Sequence, residues 1–242
     1  MIRLLGVSYA YRPGEPVLDG ADLEVPPGLT LLVGPNGCGK STLLKLAAGV
    51  ERPDRGTIEV GEPGLWRDLW RDEAAARAGL AYVPEQPDLT PYASVGEVLR
   101  LVCRLRGEPE ASAAAALAFV GLTGLAGRSV RELSMGQRRK AVLAAALVGT
   151  PSHLLLDEPL EAMDRGARDD VLAWIDRLLA AGAAVLVVSH ELEPFVQRAA
   201  RAVTVTAGRC AVFDPLPGDP AERLALLERL ARGMPPGAPP LG

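Results

Sequence analysis

The stretch that most limits what this chain can fold into runs from Thr30 to Gly49, reading T-L-L-V-G-P-N-G-C-G-K-S-T-L-L-K-L-A-A-G. An apolar run of β type leads into the spacing G-x-x-x-x-G-K-[ST] at residues 34–41, and a helix-forming run follows. A strand, a glycine-rich turn and a helix in that order gather backbone N–H groups and a helix N-terminus around one point. Such a point suits the clustered negative charge of a nucleoside triphosphate. Gly34, Gly37 and Gly39 permit the turn and let the backbone come close, with Pro35, Asn36, Cys38 and Thr42 completing the cradle. Lys40 is expected to reach the β- and γ-phosphates, and the Ser41 hydroxyl to ligate Mg2+. The lysine is informative because the chain holds only three, Lys40, Lys45 and Lys140, against 23 arginines. Where arginine supplies positive charge elsewhere, a lysine here marks a demand for a compact point charge.

Two later strands end in polar groups. His153-Leu154-Leu155-Leu156-Asp157-Glu158-Pro159 is an apolar run closed by two carboxylates, which repel each other unless a metal or a proton compensates. Asp157 is expected to hold Mg2+ through water, and Glu158 to polarise an attacking water as general base. Ala184-Val185-Leu186-Val187-Val188-Ser189-His190 repeats the design, delivering His190 at the carboxyl end of a buried strand, where open α/β sheets place their ligands. A strand-to-turn junction also favours Asp and Pro, and a lone histidine is more often structural. Both readings gain their weight from the phosphate loop.

Around these lie strands expected at residues 2–9 and 21–25, joined by a Pro/Gly turn at 12–16 that carries Tyr11. An aromatic there can stack on a nucleobase, although packing or plain exposure is the default for a lone tyrosine. A strand is expected at 56–60. A short amphipathic helix follows at 65–77, with Trp66 and Trp70 at i, i+4 in ordinary packing. Next come a strand at Leu80–Val83 ending in Pro84-Glu85-Gln86-Pro87, and helices at Val95–Arg106 and 110–120. Residues 133–137 open a helix through Leu147 with Arg138, Arg139 and Lys140 in its first turns. Cations there oppose the helix dipole, so a solvated face and a nearby anion stand as equal readings. Strands at 202–206 and 210–213, a helix at 220–232 and a Pro/Gly-rich tail from Gly233, expected to be disordered, complete the chain.

A length of 242 residues suits one large domain, and 48% apolar content supplies its core. The net charge of −4 lacks the basic excess of a nucleic-acid surface. Cys38, Cys103 and Cys210 have no framework spacing and read as reduced thiols. The chain opens Met1-Ile2-Arg3-Leu4-Leu5 without a signal-peptide pattern, and its longest apolar stretches fall well short of the ~20 residues that cross a bilayer. Any membrane role is therefore expected to be peripheral and to depend on a partner.

In this order the segments resemble the ATP-binding subunit of an ABC transporter, over residues 2–215 or thereabouts. Residues 34–42 are similar to the Walker A motif, 133–137 to the ABC signature, and 154–158 to Walker B with its catalytic glutamate. Asp164 resembles the D-loop aspartate and His190 the switch histidine, and Tyr11 falls where the family keeps an adenine-stacking aromatic. The resemblance implies an α/β fold: a P-loop NTPase core (1–86 and 151–215) with an antiparallel β subdomain, an inserted helical subdomain (87–150), a C-terminal helix and the tail 233–242. It implies ATP and Mg2+, and a second ATP-binding subunit whose Ser134, Gly136 and Gln137 cap the γ-phosphate. It also implies a multi-spanning membrane permease docking near residues 85–92, and a cytoplasmic location on the inner face of the membrane.

Three departures stand out. Met135 replaces the first glycine of the signature, the D-loop lacks its usual small polar residues, and Glu85 takes the usual glutamine position with Gln86 next. Either Glu85 or Gln86 is a candidate to reach the metal and the attacking water, and Gln86 is carried as a possible metal ligand. Val83-Pro84-Glu85 is similar to the branch that energises exporters, so export is the expected direction. A soluble ABC ATPase acting on nucleic acid or the ribosome competes, but the chain has neither a long coiled coil nor a second cassette. A low-turnover regulator is favoured by Met135 and opposed by Glu158 and His190.

Overall fold

The computed structural model describes residues 1–86, 89–161 and 163–234. Strands β1 (Ile2–Ala10), β2 (Pro16–Val25), β4 (Arg55–Val60) and β5 (Arg67–Asp68) form an antiparallel sheet in the order β2-β1-β4-β5. The second sheet contains β3 (Gly28–Val33), β6 (Leu80–Val83), β7 (His153–Asp157), β8 (Ala184–Val188), β9 (Ala199–Thr206) and β10 (Arg209–Phe213). Its order is β10-β9-β3-β8-β7-β6, parallel throughout except for the β9-β10 hairpin. The helices are α1 (Lys40–Ala47), α2 (Glu73–Arg77), α3 (Val95–Arg106), α4 (Ala111–Phe119), α5 (Met135–Leu147), α6 (Arg165–Ala180) and α7 (Pro220–Ala231).

A two-residue period decides how the parallel sheet is covered. Leu29, Leu31, Val33, Leu154, Leu156, Val185 and Val187 point into one core, where they meet residues of α3, α4, α5, α6 and α7. The alternate residues Leu32, Leu155, Leu186 and Val188 point the other way, against α1 and the inner face of the antiparallel sheet. Strands covered on both faces read as unbroken apolar runs, as β3, β7 and β8 do. Helices α3, α4 and α5 are inserted between β6 and β7.

Helix α3 has the bounds expected from its pattern, because Ser94 and Glu97 form a capping box at its start and Gly107 closes it in a left-handed conformation. Asp219 caps α7 and Pro220 occupies its first turn. Strand β2 begins at Pro16, well before the expected residue 21.

The expected helix at 65–77 forms only over its last turn, as α2, because β5 occupies the earlier part. The Asp68 carboxylate accepts hydrogen bonds from the N–H groups of Trp70 (2.8 Å) and Arg71 (2.9 Å), turning the chain between β5 and α2. Trp66 instead lies under the Arg3 guanidinium at 3.9 Å, and Trp70 faces that of Arg77 at 4.9 Å. The expected disorder of the tail falls on residues 235–242, outside the described residues. Among the described residues no helix is long and apolar enough to cross a membrane.

Candidate active site

Strand order brings three chain reversals to one edge. Leu32 pairs with Val188 and Val188 with Asp157, so the segments leaving β3, β7 and β8 emerge side by side. The turn after β3 is built on glycines: Gly34, Gly37 and Gly39 have φ of 150°, 78° and 107°. Gly39 is the residue preceding α1, and a Cβ there would stand 3.1 Å from Val17 Cγ1 in a backbone conformation that side chains rarely adopt. Lys40, only 8% exposed, donates from Nζ to the carbonyls of Gly34 (2.7 Å) and Pro35 (2.9 Å). Two of its three donors are thus committed to holding the loop, and one is left for a ligand.

The turn borders a cavity of about 450 Å³. The cavity is lined by Asn36, Gly37, Gly39, Lys40, Ser41 and Thr42 from the turn and α1, and by Asp157, Glu158, Val188 and His190 from the ends of β7 and β8. Tyr11, Val17 and Glu85 complete the lining. Tyr11 meets the edge of Tyr9 with ring centroids 5.0 Å apart, and its hydroxyl accepts from Thr42 Oγ1 at 3.4 Å. Gly34 and Pro35 line an adjoining hollow with His190, and Cys38 packs behind the loop against the second core. Sequence reading missed Val17 and Val188 at the cavity. Both are apolar strand residues: Val188 adjoins Ser189, whereas Val17, between Pro16 and Leu18, carries no local signal.

The two acids occupy different surroundings. Burial raises the proton affinity of Asp157 above the ordinary carboxylate range, and a hydrogen bond with Ser41 opposes the shift. The Glu158 carboxyl is likewise raised, chiefly by burial, against the lowering effect of the His190 N–H. That N–H donates to Glu158 Oε2 at 3.1 Å. Glu158 Oε1 is buried without a hydrogen-bond partner, 3.6 Å from His190 Nε2. Glu158 also has a left-handed backbone, φ 49°, with its N–H donating to Val188 O at 2.9 Å. A buried carboxylate of raised basicity with one unused oxygen, facing a loop suited to phosphate, can take a proton from a water held between them.

Other residues singled out from sequence lie elsewhere. Ser134 caps α5, accepting from Gln137 N at 3.3 Å while Gln137 Oε1 accepts from Ser134 N at 3.0 Å. Gly136 follows in the first turn, and Met135 is 61% exposed. Asp164 caps α6 by accepting from Ala167 N at 2.9 Å and pairs with Lys140 at 3.3 Å. None of these borders the cavity.

Gln86, expected as a metal ligand, lines a neighbouring groove of about 720 Å³ that it shares with Ser41 and Asp157, and Glu85 borders both spaces where the chain bends at 85–86. The helix-start cations have specific partners. Arg138 donates to the carbonyls of Leu133 (3.1 Å) and Arg131 (2.9 Å), Lys140 pairs with Asp164, and Arg139 is buried.

With this geometry in view, comparison with known proteins decides the family. Residues 18–161 match the model described as ABC transporter. The chain belongs to the ABC transporter family. The nickel import ATP-binding protein NikO of Rhodobacter capsulatus is 37% identical over 238 residues, 93% of each chain. The aliphatic sulfonates import ATP-binding protein SsuB 1 of Mesorhizobium japonicum is 36% identical over 201 residues, 81% of this chain and 72% of that one. An ATP binding subunit of an ABC transporter superposes with TM-score 0.78 at 26% identity, covering 88% of this chain and 90% of the other. A dimeric ATP-binding cassette in a post-hydrolysis state with ADP and Pi gives 0.78 at 22% identity, covering 90% and 100%, a likeness of fold. This ABC ATPase subunit therefore has the cassette fold that its motifs implied, and it binds and hydrolyses ATP to drive transport.

Proposed function

We propose that the subunit holds ATP with Mg2+ in the cavity between the phosphate loop and Glu158, hydrolyses it when a second cassette closes that cavity, and powers import through a separate membrane subunit. The observation that carries the catalytic part is the convergence of Lys40, Ser41, Asp157, Glu158 and His190 on one space. Tyr11 stacks on the adenine. Glu158 accepts the proton of the attacking water through Oε1, His190 contacts the γ-phosphate, and Lys40 offsets the charge that spreads over the transferred group.

The donor set fits magnesium. The Ser41 hydroxyl and the Asp157 carboxylate are adjacent hard oxygens with the Glu85 carboxylate nearby, and among the described residues no three His, Cys, Asp or Glu groups converge to hold a metal unaided. When bound, Mg2+ neutralises charge on the β- and γ-phosphate oxygens.

Ser134 supports the two-chain reading because it lies at the exposed tip of α5, away from its own cavity. Its oxygen already accepts from Gln137, which leaves its O–H proton to donate to a phosphate of a second copy, beside the N–H groups of the helix start. Gly136 and Gln137 share that tip, and Asp164 lies on the same interface.

The membrane subunit docks at the groove near residues 85–92, of which 87 and 88 lie outside the described residues. Val50 (54% exposed) and Tyr92 (80% exposed) give this region uncovered apolar surface. That contact brings the chain to the inner face of the membrane.

Import replaces the export expected from Val83-Pro84-Glu85. NikO and SsuB 1 are both named as import proteins, and that likeness runs over most of the chain rather than three residues. The test is to purify the subunit with its multi-spanning partner, place both in vesicles and supply ATP on the face that carries this chain. Cargo is expected to move toward the ATP side. Movement away from it restores export, and a partner without membrane spans contradicts the transport role.

A further inference from the structure

Arg139 sits in the second turn of α5 and is 2% exposed, an unusual place for a guanidinium with no carboxylate in hydrogen-bond contact. Nη1 donates to the carbonyls of Pro84 and Glu85, and Nη2 to those of Asp157 and Glu158. All four acceptors are main-chain oxygens, and they come from the two segments that present Glu85, Asp157 and Glu158 to the nucleotide cavity. Nε is buried without a partner, and a buried charge is costly unless it is hydrogen-bonded, so an apolar side chain would suffice here if filling space were the task.

The planar fork of an arginine does what filler cannot: it fixes two separate pairs of carbonyls at a set spacing. One of those carbonyls belongs to Glu158, whose left-handed backbone persists only if its surroundings over-determine it. Val188 O takes its N–H, the His190 N–H takes its carboxylate, and Arg139 takes its carbonyl.

We infer that Arg139 is a positioning residue for hydrolysis, holding the Glu158 backbone in its strained conformation and tying that segment and the Glu85 bend to the helix capped by Ser134. The consequence is mechanical. When Ser134 engages the nucleotide of the partner copy, the same rigid helix sets the base and the Glu85 carboxylate in its own chain. The inference rests on the reading of Glu158 as the general base.

The experiment compares Arg139→Lys and Arg139→Gln with the wild type, using Glu158→Gln as control, by single-turnover hydrolysis of bound ATP alongside direct ATP binding. A lysine keeps the charge but cannot span both pairs of carbonyls, and a glutamine offers only two donors. The rate constant per bound ATP is expected to fall about 10²-fold in Arg139→Lys, with affinity retained. Arg139→Gln is expected to fall at least as far, and it serves if the lysine variant does not fold. A rate constant that stays at the wild-type level, with only the folded or nucleotide-bound fraction reduced, makes Arg139 a structural prop and overturns the inference. Parallel loss of affinity and rate overturns it as well, by placing Arg139 in support of the phosphate loop. If instead Glu158→Gln hydrolyses ATP normally, the assignment of the base has failed, whatever the Arg139 variants do.

Discussion

Glu158→Gln is expected to bind ATP as tightly as the wild type and to release phosphate about 10³-fold more slowly, within the range that a positioned general base contributes. The change is nearly isosteric. The amide oxygen can still accept from the His190 N–H, which now meets Glu158 Oε2 at 3.1 Å, and Lys40 and Ser41 are untouched. Removing a buried negative charge beside Asp157 also relieves a repulsion, so loss of fold is not a competing explanation. With hydrolysis blocked, the ATP-bound pair of cassettes has no route to reopen and should elute as a dimer on a sizing column.

The wild type carries a matching pH signature. Burial lifts the Glu158 carboxyl above the ordinary range, and only the ionised form is a base. Hydrolysis should therefore decline on acidification at a pH above the usual glutamate value, and recover as pH rises through it. A variant that hydrolyses ATP normally would show that the base lies elsewhere.

Lys40→Ala is expected to lose nucleotide affinity rather than turnover alone. The ammonium is buried and bonded to the loop carbonyls of Gly34 and Pro35, so its removal deletes the positive charge facing the phosphates and unties the turn. Truncating one partner of a buried charged contact costs about 3 kcal/mol, roughly 10²-fold in Kd. Lys40→Arg should not restore binding, because a wide planar fork cannot occupy the place of a compact ammonium behind Gly34 and Pro35. Equilibrium binding of a fluorescent ATP analogue measures both variants, and unchanged affinity in Lys40→Ala would remove the lysine from the site.

What could be read from the residues alone was whatever is encoded locally. The phosphate turn is contiguous, so strand, glycines, lysine and helix are all visible within residues 30–49. Strands β7 and β8 announce themselves as unbroken apolar runs, since both of their faces are covered. That their ends meet is a property of strand order, which no single stretch contains. The family resemblance supplied it, and the pairing of Leu32 and Asp157 with Val188 accounts for it.

The misreadings share a cause. Trp66 and Trp70 have helical spacing, but Asp68 turns the chain between them and their partners Arg3 and Arg77 come from other elements. Arg139 looked like one of three helix-start cations because its carbonyl partners lie some 20 and 55 residues away. Direction of transport was read from three residues, too short a segment to outweigh a likeness that spans the chain.

The most direct test is the structure of Glu158→Gln crystallised with ATP and Mg2+. Two chains are expected to enclose each nucleotide, with Lys40 of one and Ser134 of its partner both within hydrogen-bond distance of the same γ-phosphate. A nucleotide bound on the phosphate loop with Ser134 in contact with solvent alone, in every assembly in the crystal, would contradict a site completed by two chains.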